Sequence, residues 1–405
     1  MTEFPPPPTS AVPWEKMDLK FQEGILVLPS SVTATNQYLP IVNGHIEATH
    51  SKKTGEWTPL IFVPSPHVRI HGMSPALNYG QQVLEGLKAF RHPGSPGSIS
   101  LFRPDMNAHR FQRSASALDL PIVPVDMFVQ ACRAAVALNA EFVPPHGFGG
   151  AMYVRPQLYG SSPQLGLTAT DQTTFCVFVV PTGVHEKAQA MKALIVDDFD
   201  RAAPRGTGHV KIGGNYAPVI RWAKQSKAAG YGVTLHLDSA RHEDIDEFST
   251  SAFIGARYAS GADDEPGDEV TIVVSDSPCV IESVTCDTVQ KIARSFGWTV
   301  EKRAISYKEL SNFSEVMGAG TAVALMPIAS ITRKRMGEGL SPGPRVTVNG
   351  NFETIAYMPD QQQGGGPVHQ KLLARLWDCQ MGRVPDDFGW CFKVSLQDQE
   401  IKAGM

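Results

Sequence analysis

Arg205-Gly-Thr-Gly-His-Val-Lys-Ile-Gly-Gly-Asn-Tyr-Ala-Pro218 sets one lysine, Lys211, in a glycine-rich turn. The amphipathic run Val-Ile-Arg-Trp-Ala-Lys-Gln-Ser-Lys-Ala-Ala-Gly follows it over 219–230. Glycine lets the backbone pass close to a ligand and take dihedrals that side chains forbid. Asn215 and Pro218 suit the opening of a helix over the run that follows. A lysine held at such a turn can form a Schiff base, because burial disfavours the ammonium ion and exposes the amine lone pair. Taken alone, the stretch favours an ordinary basic residue in a glycine-rich loop, since an isolated motif is weak.

A second stretch changes that balance. Asp246-Glu-Phe-Ser-Thr-Ser-Ala-Phe253 follows the strand-like Val233-Thr-Leu-His-Leu237. Together, Lys-x-Gly-Gly-Asn-Tyr and Glu-x-Ser-Thr resemble the fold-type IV pyridoxal-phosphate enzymes, and among these the branched-chain amino acid aminotransferases. The resemblance runs from roughly Trp57 to Val394, with at least five separated segments matching in order.

That resemblance implies roles for named residues. Leu77-Asn-Tyr-Gly-Gln-Gln-Val-Leu-Glu-Gly-Leu-Lys-Ala-Phe90 is similar to a family segment whose tyrosine lines the substrate pocket, here Tyr79. Leu84 stands where the family usually has an aromatic residue, which implies a wider pocket. In Leu101-Phe-Arg-Pro-Asp-Met-Asn-Ala-His-Arg-Phe-Gln-Arg-Ser-Ala115, Arg110 matches the arginine that grips the cofactor phosphate. A dianion needs a fixed multi-donor cation. Tyr153 and Arg155 of the Tyr-x-Arg-Pro segment would border the substrate. The loop carrying Leu165 and Leu167 would reach the active site of a partner subunit.

By the same resemblance Lys211 carries the cofactor, Tyr216 bonds its ring oxygen and Glu247 pairs with its pyridinium nitrogen. Val284, Thr285 and Thr321 would hold the phosphate at a helix N-terminus, and Thr250 with the Ala322 amide would meet the substrate carboxylate. Three departures stand out. Glu282-Ser283 replace a Pro-Gly pair, Cys286 replaces an arginine, and Ala252 replaces an asparagine. Glu282 thereby falls near an anion site, from which it is expected to face away.

Composition bounds the function. The chain has 405 residues, 42% hydrophobic and 19% charged, enough for two or three domains' worth of core. A net charge of −4 gives no electrostatic footprint for nucleic acid or an anionic membrane. No apolar run approaches the roughly 18–20 residues of a membrane span. Six scattered cysteines, with no Cys-x-x-Cys pair, argue against a disulfide scaffold or a zinc knuckle, and no metal is expected. The opening Met-Thr-Glu-Phe-Pro-Pro-Pro-Pro resembles neither a signal nor a transit peptide, so the cytoplasm is the expected compartment.

The expected fold is α+β (mixed α/β), the two-domain fold-type IV arrangement shared with D-amino acid aminotransferase, with the cofactor in the interdomain crevice. A flexible proline-rich arm is expected over 1–18 and a smaller α+β domain over 19–182. A linker over 183–191, a larger cofactor-binding domain with a barrel-like sheet over 192–395, and a flexible tail over 396–405 complete the chain. The apolar spacing predicts helices at Val125–Phe142, Thr288–Phe296 and His369–Gln380. An exposed acidic turn is expected at 260–268 and a flexible loop at 360–366.

The activity implied is pyridoxal 5′-phosphate-dependent transfer of an amino group from a hydrophobic, branched-chain-like L-amino acid to 2-oxoglutarate, by a homodimer. Asp200-Arg-Ala-Ala-Pro-Arg-Gly-Thr-Gly-His209 with Asp-Glu-Phe-Ser-Thr-Ser also resembles fungal branched-chain-like paralogues, some of which supply unusual amino acids to secondary metabolism. A specialised aminotransferase is therefore a second reading. A catalytically inactive cofactor-binding homologue is a third, against which Lys211, Glu247 and Arg110 argue.

Overall fold

Two long strands, β-branched and aromatic, form the spine of the first sheet: Ala151–Gly160 and Gln172–Thr182 pair antiparallel along their length. The computed structural model describes residues 20–22, 25–27, 42–94, 98–182, 189–258, 269–335, 339–359 and 364–403. The proline-rich arm, the linker up to residue 188, the acidic turn at 260–268 and residues 360–363 of the expected loop lie outside the described residues. Packing divides the chain into two compact units. The first has the bounds Met1–Glu186, Lys211–Gly214 and Asp378–Met405; the second has Lys187–Val210 and Asn215–Trp377.

In the first unit the chain opens with a short hairpin, β1 (Lys20–Gln22) and β2 (Ile25–Val27). The sheet strands follow: β3 (His45–Ser51), β4 (Glu56–Trp57), β5 (Ile61–Val63), β6 (Gln82–Leu84), β7 (Leu87–Arg91), β8 (Ile99–Phe102), β9 (Ala151–Gly160) and β10 (Gln172–Thr182). Helix α1 (Pro75–Tyr79) precedes β6, and α2 (Pro104–Ala117) and α3 (Val125–Ala137) lie between β8 and β9. Phe111 of α2, Phe128 of α3 and Phe175 of β10 meet with ring centroids 5.2–6.1 Å apart, which locks both helices onto the sheet. The predicted helix from Val125 ends at Ala137; a separate 3-10 turn at Ala140–Phe142 takes up the remainder.

In the second unit the strands are β11 (Met191–Ile195), β12 (Val233–Leu237), β13 (Ile245–Phe248), β14 (Ser251–Arg257), β15 (Thr271–Ser275), β16 (Thr299–Arg303), β17 (Glu315–Gly320), β18 (Ala324–Lys334), β19 (Val346–Asn349) and β20 (Phe352–Ala356). Strands run β14-β13-β12-β11-β18, and β17 pairs with both β18 and β14, so this part of the sheet closes on itself as a ring. Closure removes exposed strand edges. Inside lie Leu235, Phe248, Phe253, Phe313, Ile328 and Ile331, all buried. Helix α4 (Val219–Ala228) follows the lysine stretch, α5 (Val284–Ser295) joins β15 to β16, and α6 (Pro367–Gln380) closes the run.

Three expectations are corrected. Helix α5 starts at Val284, four residues before the expected Thr288, because the Ser283 hydroxyl accepts the Cys286 amide and caps the earlier turn. Residues 404–405 of the expected tail lie outside the described residues, but 396–403 carry structure: Leu396–Gln399 form a 3-10 turn, and Gln399 Nε2 donates to the Ala137 carbonyl at 2.8 Å. Strands β21 (Cys391–Val394) and β22 (Lys402–Ala403) then join the first sheet, whose order is β21-β8-β7-β9-β10-β3-β5-β22. Finally, Lys211–Gly214 and the segment from Asp378 pack with the first unit, whereas the sequence reading set them in the second domain.

Candidate active site

The backbone of Lys211 is fixed on both sides. Its amide donates to the Ser114 hydroxyl of α2 at 2.9 Å, and its carbonyl accepts the Leu84 amide of β6 at 3.1 Å. Ile212, buried, forms a one-residue bridge to Val83. The glycines of the stretch thus let the lysine segment lie against β6 as if it were a short strand.

Beside it is a buried acid that the sequence reading did not assign. Glu85 is fully buried between β6 and β7. Arg110 Nε donates to its Oε1 at 2.6 Å and Arg110 Nη2 to its Oε2 at 2.8 Å. Asn107 and the Gly86 amide also donate to Oε2. Burial alone would raise the Glu85 carboxyl. The charge and hydrogen bond of Arg110, the charge of Lys211 and the Asn107 amide outweigh it and hold the group below 4.5. One edge of the Arg110 fork is therefore engaged by Glu85. Signal for this pair was present: an acid inside Val83-Leu-Glu-Gly-Leu87 must find a cation if the run is buried.

Tyr153 and Arg155 come together on one face of β9. Arg155 Nη2 donates to the Tyr153 hydroxyl at 2.9 Å, and its guanidinium lies 5.1 Å from the centre of that ring. A Cβ on Gly86 would overlap the same hydroxyl, so the Glu85-Gly86 turn and Tyr153 are in direct contact. Lys88 is paired in register with Tyr153 across β7 and β9, and burial pushes its ammonium down to about 8.

Tyr79 serves a loop. At the C-terminus of α1, its hydroxyl accepts the Gly166 amide at 3.0 Å. Gly166 has φ +127°, a conformation that favours glycine. The Gln164 side chain ties this loop internally, accepting from Ser162 and the Asp171 amide and donating to Thr168. The result presents Leu165 and Leu167, 73% and 86% exposed, on a loop anchored by Tyr79.

In the second unit Glu247, Thr250, Val284, Thr285, Thr321 and Ala322 come together around the β13–β14 turn, the start of α5 and the β17–β18 turn. Glu247 is the last residue but one of β13, buried, and Thr250 lies in the turn to β14. The Ile281 amide, just before α5, donates to Glu247 Oε1 at 3.3 Å. The Ser283 hydroxyl donates to the Ala319 carbonyl at 3.3 Å, tying the start of α5, with Val284 and Thr285, to the end of β17. Thr321 and Ala322 form the turn from β17 to β18, and a Cβ on Gly320 would lie 3.3 Å from the Thr250 carbonyl. Tyr216 stands at the entrance to α4, its carbonyl accepting the Val219 amide at 3.1 Å.

One departure from the family pattern acquires a local explanation, and nothing in the structure explains Ala252. Ser283 is the α5 cap. Glu282 is exposed, and the Cys286 thiol is buried and pushed up to about 12, chiefly by burial. A second unassigned residue is Arg201, whose Nη1 pairs with Glu247 Oε1 at 2.7 Å. Among the described residues no helix is long and apolar enough to cross a membrane.

Comparison with known proteins bears on the family and the fold. The model of the class IV amino-transferases matches residues 82–331. The transaminase htyB of Aspergillus rugulosus is 44% identical, over 99% of each chain. The branched-chain amino acid aminotransferase gloG of Glarea lozoyensis is also 44% identical, over 96% of this chain and 98% of its own. Among solved structures, the branched-chain amino acid aminotransferase of Escherichia coli superposes with a TM-score of 0.65 at 20% identity, over 87% of this chain and all of its own. The Thermobaculum terrenum enzyme, solved in its pyridoxal-phosphate form, gives 0.65 at 19% identity, over 87% of this chain and 99% of its own.

Proposed function

The chain belongs to the class IV aminotransferases and is a transaminase, and from that premise we propose that it takes its amino group from a hydrophobic, branched-chain-like L-amino acid and delivers it to 2-oxoglutarate in a ping-pong cycle. We assign pyridoxal 5′-phosphate as its cofactor. The residues fit that group. Lys211 supplies an amine on a fixed backbone, Arg110 a buried guanidinium, Glu247 a buried carboxylate, and the first turn of α5 the donors that favour phosphate. The observation that carries the reading is the setting of Lys211, held by Ser114 and Leu84 within the field of the Glu85–Arg110 pair.

When bound, pyridoxal phosphate supplies the electron sink that makes the substrate Cα–H acidic. Lys211 would hold the cofactor through its amine and would be the base that moves the proton of the substrate Cα. Glu247 would pair with the ring nitrogen, and Tyr216 would donate to the ring oxygen. Arg110, Val284, Thr285 and Thr321 hold the phosphate. Thr250 and the Ala322 amide orient the substrate carboxylate, while Tyr79, Tyr153 and Arg155 border its side chain. Leu84 with the exposed Leu165 and Leu167 favours an apolar side chain, and the rigid Leu165–Leu167 loop favours docking on a second copy in a homodimer.

A specialised substrate is the second reading, favoured by the departures at Leu84, Ala252 and Glu282-Ser283. The experiment is a half-reaction: holo-protein is mixed with single amino acids and no keto acid, and the cofactor absorbance is followed. Conversion by L-leucine, L-isoleucine or L-valine, reversed by 2-oxoglutarate, is the expected result. Conversion only by other amino acids selects the specialised reading. No conversion by any amino acid contradicts both.

A further inference from the structure

Buried ion pairs seldom stabilise a fold more than well-packed apolar residues would, so one at the end of a catalytic strand calls for a reason. Arg201 and Glu247 are both buried, with Nη1 and Oε1 2.7 Å apart. The same oxygen accepts the Ile281 amide, and the same Nη1 donates to the Gly208 carbonyl at 3.2 Å. The segment 201–208 is wound tightly: a Cβ on Gly208 would overlap Ala202. Arg201 is thus held by its own loop while it holds Glu247.

The surroundings leave that charge to Glu247. His236, also buried, lies 2.8 Å from the Ser249 hydroxyl through Nε2, and Ser249 is bonded in turn to Thr234. Among the described residues His236 Nδ1 has no hydrogen-bond partner, and Phe199 stands edge-on to the ring at 5.8 Å. Burial, then the charge of Arg201, hold the imidazole down to about 3, so it stays neutral. Asp246 is buried nearby; burial raises its carboxyl, against which a hydrogen bond from Ser277 and the charge of Arg201 act. Cys279 also lies within the field of Arg201, its thiol raised by burial.

We propose that Arg201 is a positioning residue: it fixes the Glu247 carboxylate in charge and orientation, so that Glu247 can keep the cofactor's ring nitrogen protonated. This rests on the assignment of Glu247 above. Arg201 acts only through Glu247. A role confined to tying the 201–208 loop to the sheet would leave the ring nitrogen unchanged.

The test uses holo-enzyme loaded with pyridoxal phosphate isotopically labelled at the ring nitrogen, read by the NMR shift of that nitrogen and by the half-reaction rate. Wild type, Arg201→Lys, Arg201→Gln and Glu247→Gln are compared. The expected order of ring protonation is wild type, then Arg201→Lys, then Arg201→Gln, because lysine keeps the charge but not the rigid fork. The rate is expected to fall about 10- to 100-fold in Arg201→Gln, as for other residues that orient a reacting group from behind. Should Arg201→Gln not fold, an intermediate shift in Arg201→Lys supports the proposal and a wild-type shift overturns it. Wild-type shifts in both arginine variants, with the shift lost in Glu247→Gln, overturn the role of Arg201 alone. An unchanged shift in Glu247→Gln removes the assignment of Glu247, and the proposal with it.

Discussion

Glu85 shows what a buried charge costs when its partner is lost. It is fully buried and bonded to both nitrogens of one edge of Arg110. Glu85→Gln removes the charge that faces that guanidinium and breaks the buried pair, which is expected to destabilise the chain by about 3–5 kcal/mol at neutral pH. The pH dependence has a definite sign. The folded carboxyl lies below its ordinary value of 4.5, so its contribution is complete above that value and is lost as pH falls through the folded one. The gap between wild type and Glu85→Gln, measured by urea unfolding, should therefore narrow on acidification; a gap that stays constant contradicts the assignment. Lys211, Arg110 and Glu247 could be named from sequence because each sits in a short motif whose chemistry is explicit. Glu85 and Arg201 were not named, although Glu85 satisfies a rule visible in the sequence: an acid in an apolar run needs a cation close by.

At the scale of elements, α5 carries the most informative miss. The sequence reading set its start at Thr288, yet Ser283 caps the helix at Val284 and also reaches the Ala319 carbonyl. Ser283→Ala is expected to cost about 0.5–2 kcal/mol of stability through the lost cap. It should also weaken the hold on inorganic phosphate or cofactor, because the turn carrying Thr321 loses a tie to the start of α5. Titration of apo-protein with pyridoxal phosphate checks this; an unchanged affinity separates the cap from the proposed phosphate site. Helices α3, α4 and α6 were legible because an apolar stripe at helical period is local information. Strand β22 was not, since a two-residue parallel pairing with Ile61 and Phe62 leaves no pattern in the sequence.

For the whole molecule, the mixed α+β class and the resemblance to the branched-chain aminotransferase fold were legible, and the superposition on the Escherichia coli enzyme agrees. The ring closure was less so. It depends on β11 pairing with β18 and β17 with β14, contacts between residues far apart in the chain. The allegiance of Lys211 to the first unit has the same origin: Ser114 and Leu84, which bind its backbone, lie about a hundred residues or more upstream. The chain also holds a buried lysine whose ammonium is pushed down by burial, Lys88, so the identity of the cofactor lysine is open to direct contradiction. The decisive measurement is borohydride reduction of the pyridoxal-phosphate-loaded protein, followed by proteolysis and mass spectrometry. The account predicts a phosphopyridoxyl group on the peptide that contains Lys211. The same group on Lys88 or any other lysine, or a loaded protein that borohydride leaves unlabelled, would contradict it.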